Sequence, residues 1–156
     1  MDTQDIVISL DQAFDCYEYT KRIISDEPLY CYLIPERKFV KIKEKYKDIS
    51  VLFPNAYRLC LELIDEYLSQ PPIDQFREAY KKEAKTQRNK VVCFLWFFEH
   101  LDGCVDFQRF EIPKMTKILK KWCKHNGFAY TEPQVYRITD DRPDHFDLCY
   151  RNKGLQ

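Results

Sequence analysis

The most apolar stretch of the chain is residues 91–101, Val-Val-Cys-Phe-Leu-Trp-Phe-Phe-Glu-His-Leu. No other run hides so much surface in so few positions. A buried Leu or Phe contributes about 1.5–3 kcal/mol, so Phe94 to Phe98 together weigh heavily in the stability of one small domain. An unbroken apolar run suits either a helix buried on all sides or a central strand. Two features favour the helix. Phe76, Tyr80, Ala84, Val91, Leu95 and Phe98 form a helical stripe leading into the run. Asp102-Gly103 then stands where a left-handed residue closes a helix. The competing reading makes Asp102-Gly103 a hairpin turn, with Cys104 to Ile112 as the returning strand.

Elsewhere the pattern predicts further helices. Ser9 and Gln12 read as a capping box with Ile8 stapled onto Ala13. A helix starting there carries Leu10, Ala13, Phe14, Tyr17 and Ile24 near one face and ends at Asp26-Glu27-Pro28. Leu29 to Ile34 is a buried strand or an irregular connector. Phe39, Ile42, Tyr46 and Ile49 fit a lysine-rich helix, while Phe39 to Lys43 also alternates like a strand. Pro54 suits a first helical position, followed by Tyr57, Cys60, Leu61, Ile64 and Leu68 on one face. That helix stops before Pro71-Pro72, and a second long one begins near Ile73 or Asp74.

After Gly103, Val105 to Ile112 reads as extended. Pro113 then starts a helix with Met115, Ile118, Leu119 and Trp122 on one face, closed by Asn126-Gly127. Gln134 to Thr139 and His145 to Tyr150 are strand-like runs around a turn-rich Asp140 to Asp144. The fold class is therefore mainly α with a small C-terminal β-hairpin, an α+β helical bundle around a central apolar helix. Residues 1–156 form one domain, with Pro71-Pro72 as the place for a subdivision into 1–70 and 73–156.

Composition narrows the chemistry. Gly103, Gly127 and Gly154 are the only glycines and stand apart, which excludes a P-loop or dinucleotide fingerprint. The serines have no Gly-x-Ser-x-Gly frame. Seven widely spaced cysteines point to reduced, buried thiols. The start lacks a secretory signal and no run approaches a membrane span, so a cytoplasmic protein without membrane attachment is expected. Cys93, His100, Cys104, Cys123, His125 and Cys149 lack the paired spacing of a zinc site, and no metal or cofactor is expected. Asp74 with Glu83-Ala84-Lys85 has the residue types of a two-carboxylate metal nuclease, but on one helix that spacing turns them to different sides.

Formal net charge is zero but unevenly spread. Residues 1–36 hold eight acids and two bases, and residues 37–50 hold six bases and two acids. Residues 113–127 hold five lysines and no acid. Lys114, Lys117, Lys120, Lys121 and Lys124 fall opposite the apolar face of their helix, and Arg137 and Arg142 lie on the hairpin that follows. A basic helix with a two-stranded wing is how winged-helix domains meet nucleic acid. The function expected is thus non-catalytic binding of nucleic acid through these seven residues. The alternative is a protein-binding inhibitor, adaptor or immunity-type protein, using the acidic N-terminal face or an aromatic patch. A small enzyme ranks third.

Overall fold

Capping, periodicity and strand alternation each leave their mark on how the chain folds. The computed structural model describes residues 5–71, 73–99 and 106–133. Among these, the order is β1 (Val7–Ser9), α1 (Leu10–Thr20), β2 (Tyr30–Leu33), β3 (Lys38–Lys41), β4 (Ser50–Leu52), α2 (Ala56–Tyr67), α3 (Arg77–Ala84), α4 (Lys90–Glu99), α5 (Asp106–His125) and β5 (Ala129–Thr131). The protein is mainly α-helical with a smaller β component. The predicted hairpin over Gln134 to Tyr150 lies outside the described residues. The described residues fall into two compact units, one running up to Leu59 and resuming at Met115, the other covering Cys60–Lys114.

In the first unit, Ser9 caps α1 as its spacing predicts, its hydroxyl accepting from the Gln12 backbone N–H at 3.3 Å. Leu10, Ala13, Phe14 and Tyr17 are buried along one stripe. The helix ends at Thr20, well before Asp26, and Ile24 lies beyond it and is exposed. The Thr20 hydroxyl donates to the Cys16 carbonyl at 2.7 Å, and β-branched Ile23 and Ile24 follow, so both side-chain competition and rotamer restriction disfavour another turn.

The segment 29–52 forms a three-stranded antiparallel sheet in the order β3-β2-β4. Strand alternation wins over the lysine-rich helix expected from Phe39, Ile42, Tyr46 and Ile49, which shrinks to a single 3-10 turn at Glu44–Tyr46. Pro35-Glu36-Arg37 turns the chain between β2 and β3, with Arg37 at φ 52° and its N–H donating to the Ile34 carbonyl at 3.2 Å. Leu33 then faces Lys38 and Tyr32 faces Phe39. β2, paired on both sides, buries Cys31, Tyr32 and Leu33.

The C-terminal half of α5 closes this unit. Gly127, at φ 75°, lets the Phe128 N–H reach the Cys123 carbonyl at 2.8 Å and its own N–H reach that of Lys124 at 3.2 Å, a Schellman ending at the predicted place. β5 then pairs in parallel with β1, Val7 opposite Ala129. Tyr32, Phe39, Phe53, Trp122 and Phe128 pack edge-to-face or tilted, with ring centroids 5.0–6.0 Å apart. Each such aromatic pair adds about 0.5–1.5 kcal/mol beyond its buried area. Trp122 Nε1 also donates to the Leu52 carbonyl at 2.9 Å, tying the helix to β4.

The second unit gathers around Tyr67, whose ring meets Phe94, Phe98, Phe107 and Phe110 at 5.2–6.2 Å. The apolar run is helical through Glu99, as the stripe predicts, but α4 is one-sided. Val91, Phe94 and Phe98 are buried while Val92 and Trp96 are exposed, in place of burial all round. The long helix expected from Ile73 is also divided. A 3-10 turn at Ile73–Phe76 leads into α3, and the chain breaks between α3 and α4. Asn89 causes the restart: its side-chain oxygen accepts from the Val92 N–H at 3.0 Å. Lys90 Nζ donates to the Ala84 carbonyl and, at 2.6 Å, to that of Gln87, satisfying the end of α3.

Candidate nucleic-acid interface

α5 carries the basic residues, and its start differs from the expected one. The helix begins at Asp106, so the predicted extended segment is helical from Asp106 to Ile112, Val105 lying outside the described residues, and Pro113 sits inside the helix instead of opening it. Phe107, Glu111 and Ile112 are buried along it, and that packing outweighs the backbone donor Pro113 lacks. In a similar way α2 starts at Ala56, two residues after Pro54, the predicted first helical position: Asn55 accepts from the Arg58 N–H at 3.1 Å, leaving Pro54 ahead of the helix.

The five lysines of α5 do not share one environment. Lys114 belongs to the second unit, where its Nζ lies 2.5 Å from Glu66 Oε1 and 4.8 Å from the Phe110 ring centroid. The other four lie in the first unit. Lys120 Nζ is 2.9 Å from Glu132 Oε1 and 5.7 Å from the Tyr130 ring centroid. Lys117, Lys121 and Lys124 are exposed, and none of them makes an ion pair among the described residues. At 3.6 residues per turn, Lys117, Lys120, Lys121 and Lys124 occupy an arc about 100° wide. Opposite them Met115, Leu119 and Cys123 are at most 1% exposed, which holds the lysine side away from the unit's interior. Arg137 and Arg142 lie outside the described residues.

The partners that distinguish these lysines, Glu66 and Glu132, have no signature in the sequence. Each meets its lysine only because the fold brings a second element alongside α5. The other basic stretch places Lys41, Lys43, Lys45 and Lys47 in solvent, with Lys38 paired to Glu36 at 2.9 Å. β3 meets α5 through Phe39 and Trp122, on a side of the helix turned away from its lysines.

Thiol and metal chemistry find little support among the described residues. Cys16, Cys31, Cys60, Cys93 and Cys123 are buried thiols outside any disulfide. Burial pushes the Cys123 thiol up to about 11. Burial, with a smaller push from Cys31, raises that of Cys16 to about 12. Such thiols stay protonated near neutral pH and are poor nucleophiles. No group of three His, Cys, Asp or Glu residues among the described residues is placed to hold a metal ion. Of the residues weighed for zinc, Cys93 and Cys123 are buried and His125 is exposed, while His100, Cys104 and Cys149 lie outside the described residues. No described helix is long and apolar enough to cross a membrane.

No protein-family model, curated protein or solved structure matches the chain.

Proposed function

We propose that this protein is a non-catalytic binding protein for nucleic acid, and that Lys117, Lys121 and Lys124 are its principal contacts. The observation that carries the reading is the exposure of these three cations along one side of α5, with no carboxylate partner among the described residues. Cationic side chains held at fixed spacing release condensed counterions when they meet phosphates. Non-specific binding of this kind typically falls at about 1–100 µM at physiological salt. Lys120 joins when it leaves Glu132, whereas Lys114 is engaged by Glu66. A wing formed by the chain around Arg137 and Arg142 would add further contacts, but the reading does not depend on it. Buried, protonated thiols suit a reducing compartment, and the cytoplasm is the location that fits this proposal.

The test is charge reversal. K117E/K121E is expected to abolish binding to a duplex oligonucleotide at low salt while leaving the thermal transition within a few degrees of wild type. Retained affinity in the folded variant would remove the ridge from the interface.

A second reading, a protein-binding inhibitor or adaptor, is favoured by the exposed Tyr19, Ile23 and Ile24 at and after the end of α1. Aromatic and aliphatic residues of this kind anchor protein interfaces. A stoichiometric protein partner recovered from the native host, and lost with I23D/I24D, would establish it.

A further inference from the structure

Building on the proposed nucleic-acid binding, we infer that the α5 ridge recognises the phosphodiester backbone of a duplex without reading its sequence. Base edges are read by Arg or Lys on guanine and by Asn or Gln on adenine, and a ridge made of lysines alone lacks the planar fork that fixes a bidentate geometry on one base. The exposed arc of α5 in the first unit offers Lys117, Lys121 and Lys124, compact ammonium groups on flexible stems that act on phosphate as point charges. Asn126, the nearest amide, is occupied in closing the helix, its Nδ2 donating to the Trp122 carbonyl at 2.8 Å.

The spacing also fits a backbone. At 1.5 Å per residue, Lys117 and Lys124 are separated by about 10 Å along the helix axis. One DNA strand places a phosphate about every 3.4 Å of duplex axis, so the ridge spans about three phosphate steps.

The same face argues for a duplex over a single strand. Single-strand binders stack bases on exposed aromatic rings. Trp122 is the only Phe, Tyr or Trp between Met115 and His125, and its ring packs against Phe39, Phe53 and Phe128; Tyr130, beside the ridge on β5, is half-buried with Lys120 Nζ over its ring at 5.7 Å. A lipid surface fits less well. An interfacial helix lays an apolar face into the bilayer, and here Met115, Leu119 and Cys123 are already buried.

The experiment measures fluorescence anisotropy of the full chain against AT-rich and GC-rich DNA duplexes, a duplex RNA and a single strand, each of roughly 20 nucleotides per strand, at about 50 mM salt. Anionic vesicles serve as a further probe. The inference expects the two DNA duplexes to bind within about threefold of each other and the single strand more weakly. Duplex RNA at comparable affinity shows that the shared phosphate backbone suffices; binding confined to DNA restricts the source but leaves sequence-independent duplex recognition standing. A tenfold or greater preference between the DNA duplexes, or a preference for the single strand, overturns this inference alone. Absence of binding to every oligonucleotide, or binding to vesicles only, overturns the nucleic-acid reading with it. K117M/K121M, which removes both charges and adds no hydrogen-bonding group, is expected to weaken both DNA duplexes by the same factor; unequal losses would expose base readout by the lysines.

Discussion

Replacing Glu132 with Gln should strengthen nucleic-acid binding. Glu132 Oε1 lies 2.9 Å from Lys120 Nζ, and its side chain is 63% exposed. An exposed pair of this kind is worth about 0.2–1 kcal/mol, because water and salt screen the attraction and ordering two long side chains costs entropy. Lys120 must give up that pair before it can meet a phosphate. The substitution also removes an anion within a Debye length, about 10 Å at 0.1 M salt, of the ridge. The combined effect is a two- to fivefold gain in affinity at low salt, an energy of about 0.4–1 kcal/mol. Counterion release adds a sharper signature. With Lys117, Lys121 and Lys124 engaged, log K against log salt has a slope of about −2.7; a fourth contact from Lys120 steepens it to about −3.6. Raising salt from about 50 to 200 mM then costs the variant roughly 150-fold in affinity, against roughly fortyfold for wild type. Anisotropy titrations at several salt concentrations read both quantities. Unchanged affinity and slope in folded E132Q protein would show that Lys120 takes no part in binding and that Glu132 does not restrain it.

Other consequences concern stability. G127A forces a Cβ into the left-handed region observed at φ 75°, and should lower stability by about 1–2 kcal/mol in urea unfolding. W122F keeps an aromatic ring but loses the hydrogen bond to the carbonyl of exposed Leu52, so a loss of about 0.5–1.5 kcal/mol is expected, read by thermal melting. The buried thiols set an alkaline limit. Cys16 and Cys123 hold their protons more tightly folded than unfolded, so their contribution is fully present below the ordinary thiol value of 9.0 and is lost as pH rises from there towards about 11–12. Urea midpoints should therefore fall between pH 9 and 11, and C16A/C123A, compared with its own midpoint at pH 8, should fall less.

What could be read along the chain is what neighbouring residues decide. The Ser9 cap, the Leu10 to Tyr17 stripe, the face of α2 and the glycine ending at Gly127 depend on contacts within one or two turns, and all appear in the fold. β1 and β5 escaped notice because each has three residues, and their pairing joins positions about 120 residues apart. The sheet β3-β2-β4 was half visible: the alternation around Phe39 was present, but only its partners in β2 and the contact with Trp122 decide for strand over helix. The break before α4 had a local signal in Asn89, which the apolar stripe on either side obscured. At Pro113 a rule about helix starts misled, since tertiary burial of Phe107, Glu111 and Ile112 supports a turn that propensity alone disfavours. For the candidate interface, helical spacing placed the lysines opposite the apolar face. Separating exposed Lys117, Lys121 and Lys124 from engaged Lys114 and Lys120 required Glu66 and Glu132, which only the folded chain brings near.

The most direct measurement compares the salt dependence of duplex binding for the wild type and K117A/K121A. The account predicts that removing two of three phosphate contacts flattens the slope from about −2.7 to about −0.9. A double variant that keeps the wild-type slope and affinity, or a wild type whose binding does not respond to salt, would contradict the claim that this face of α5 meets nucleic acid.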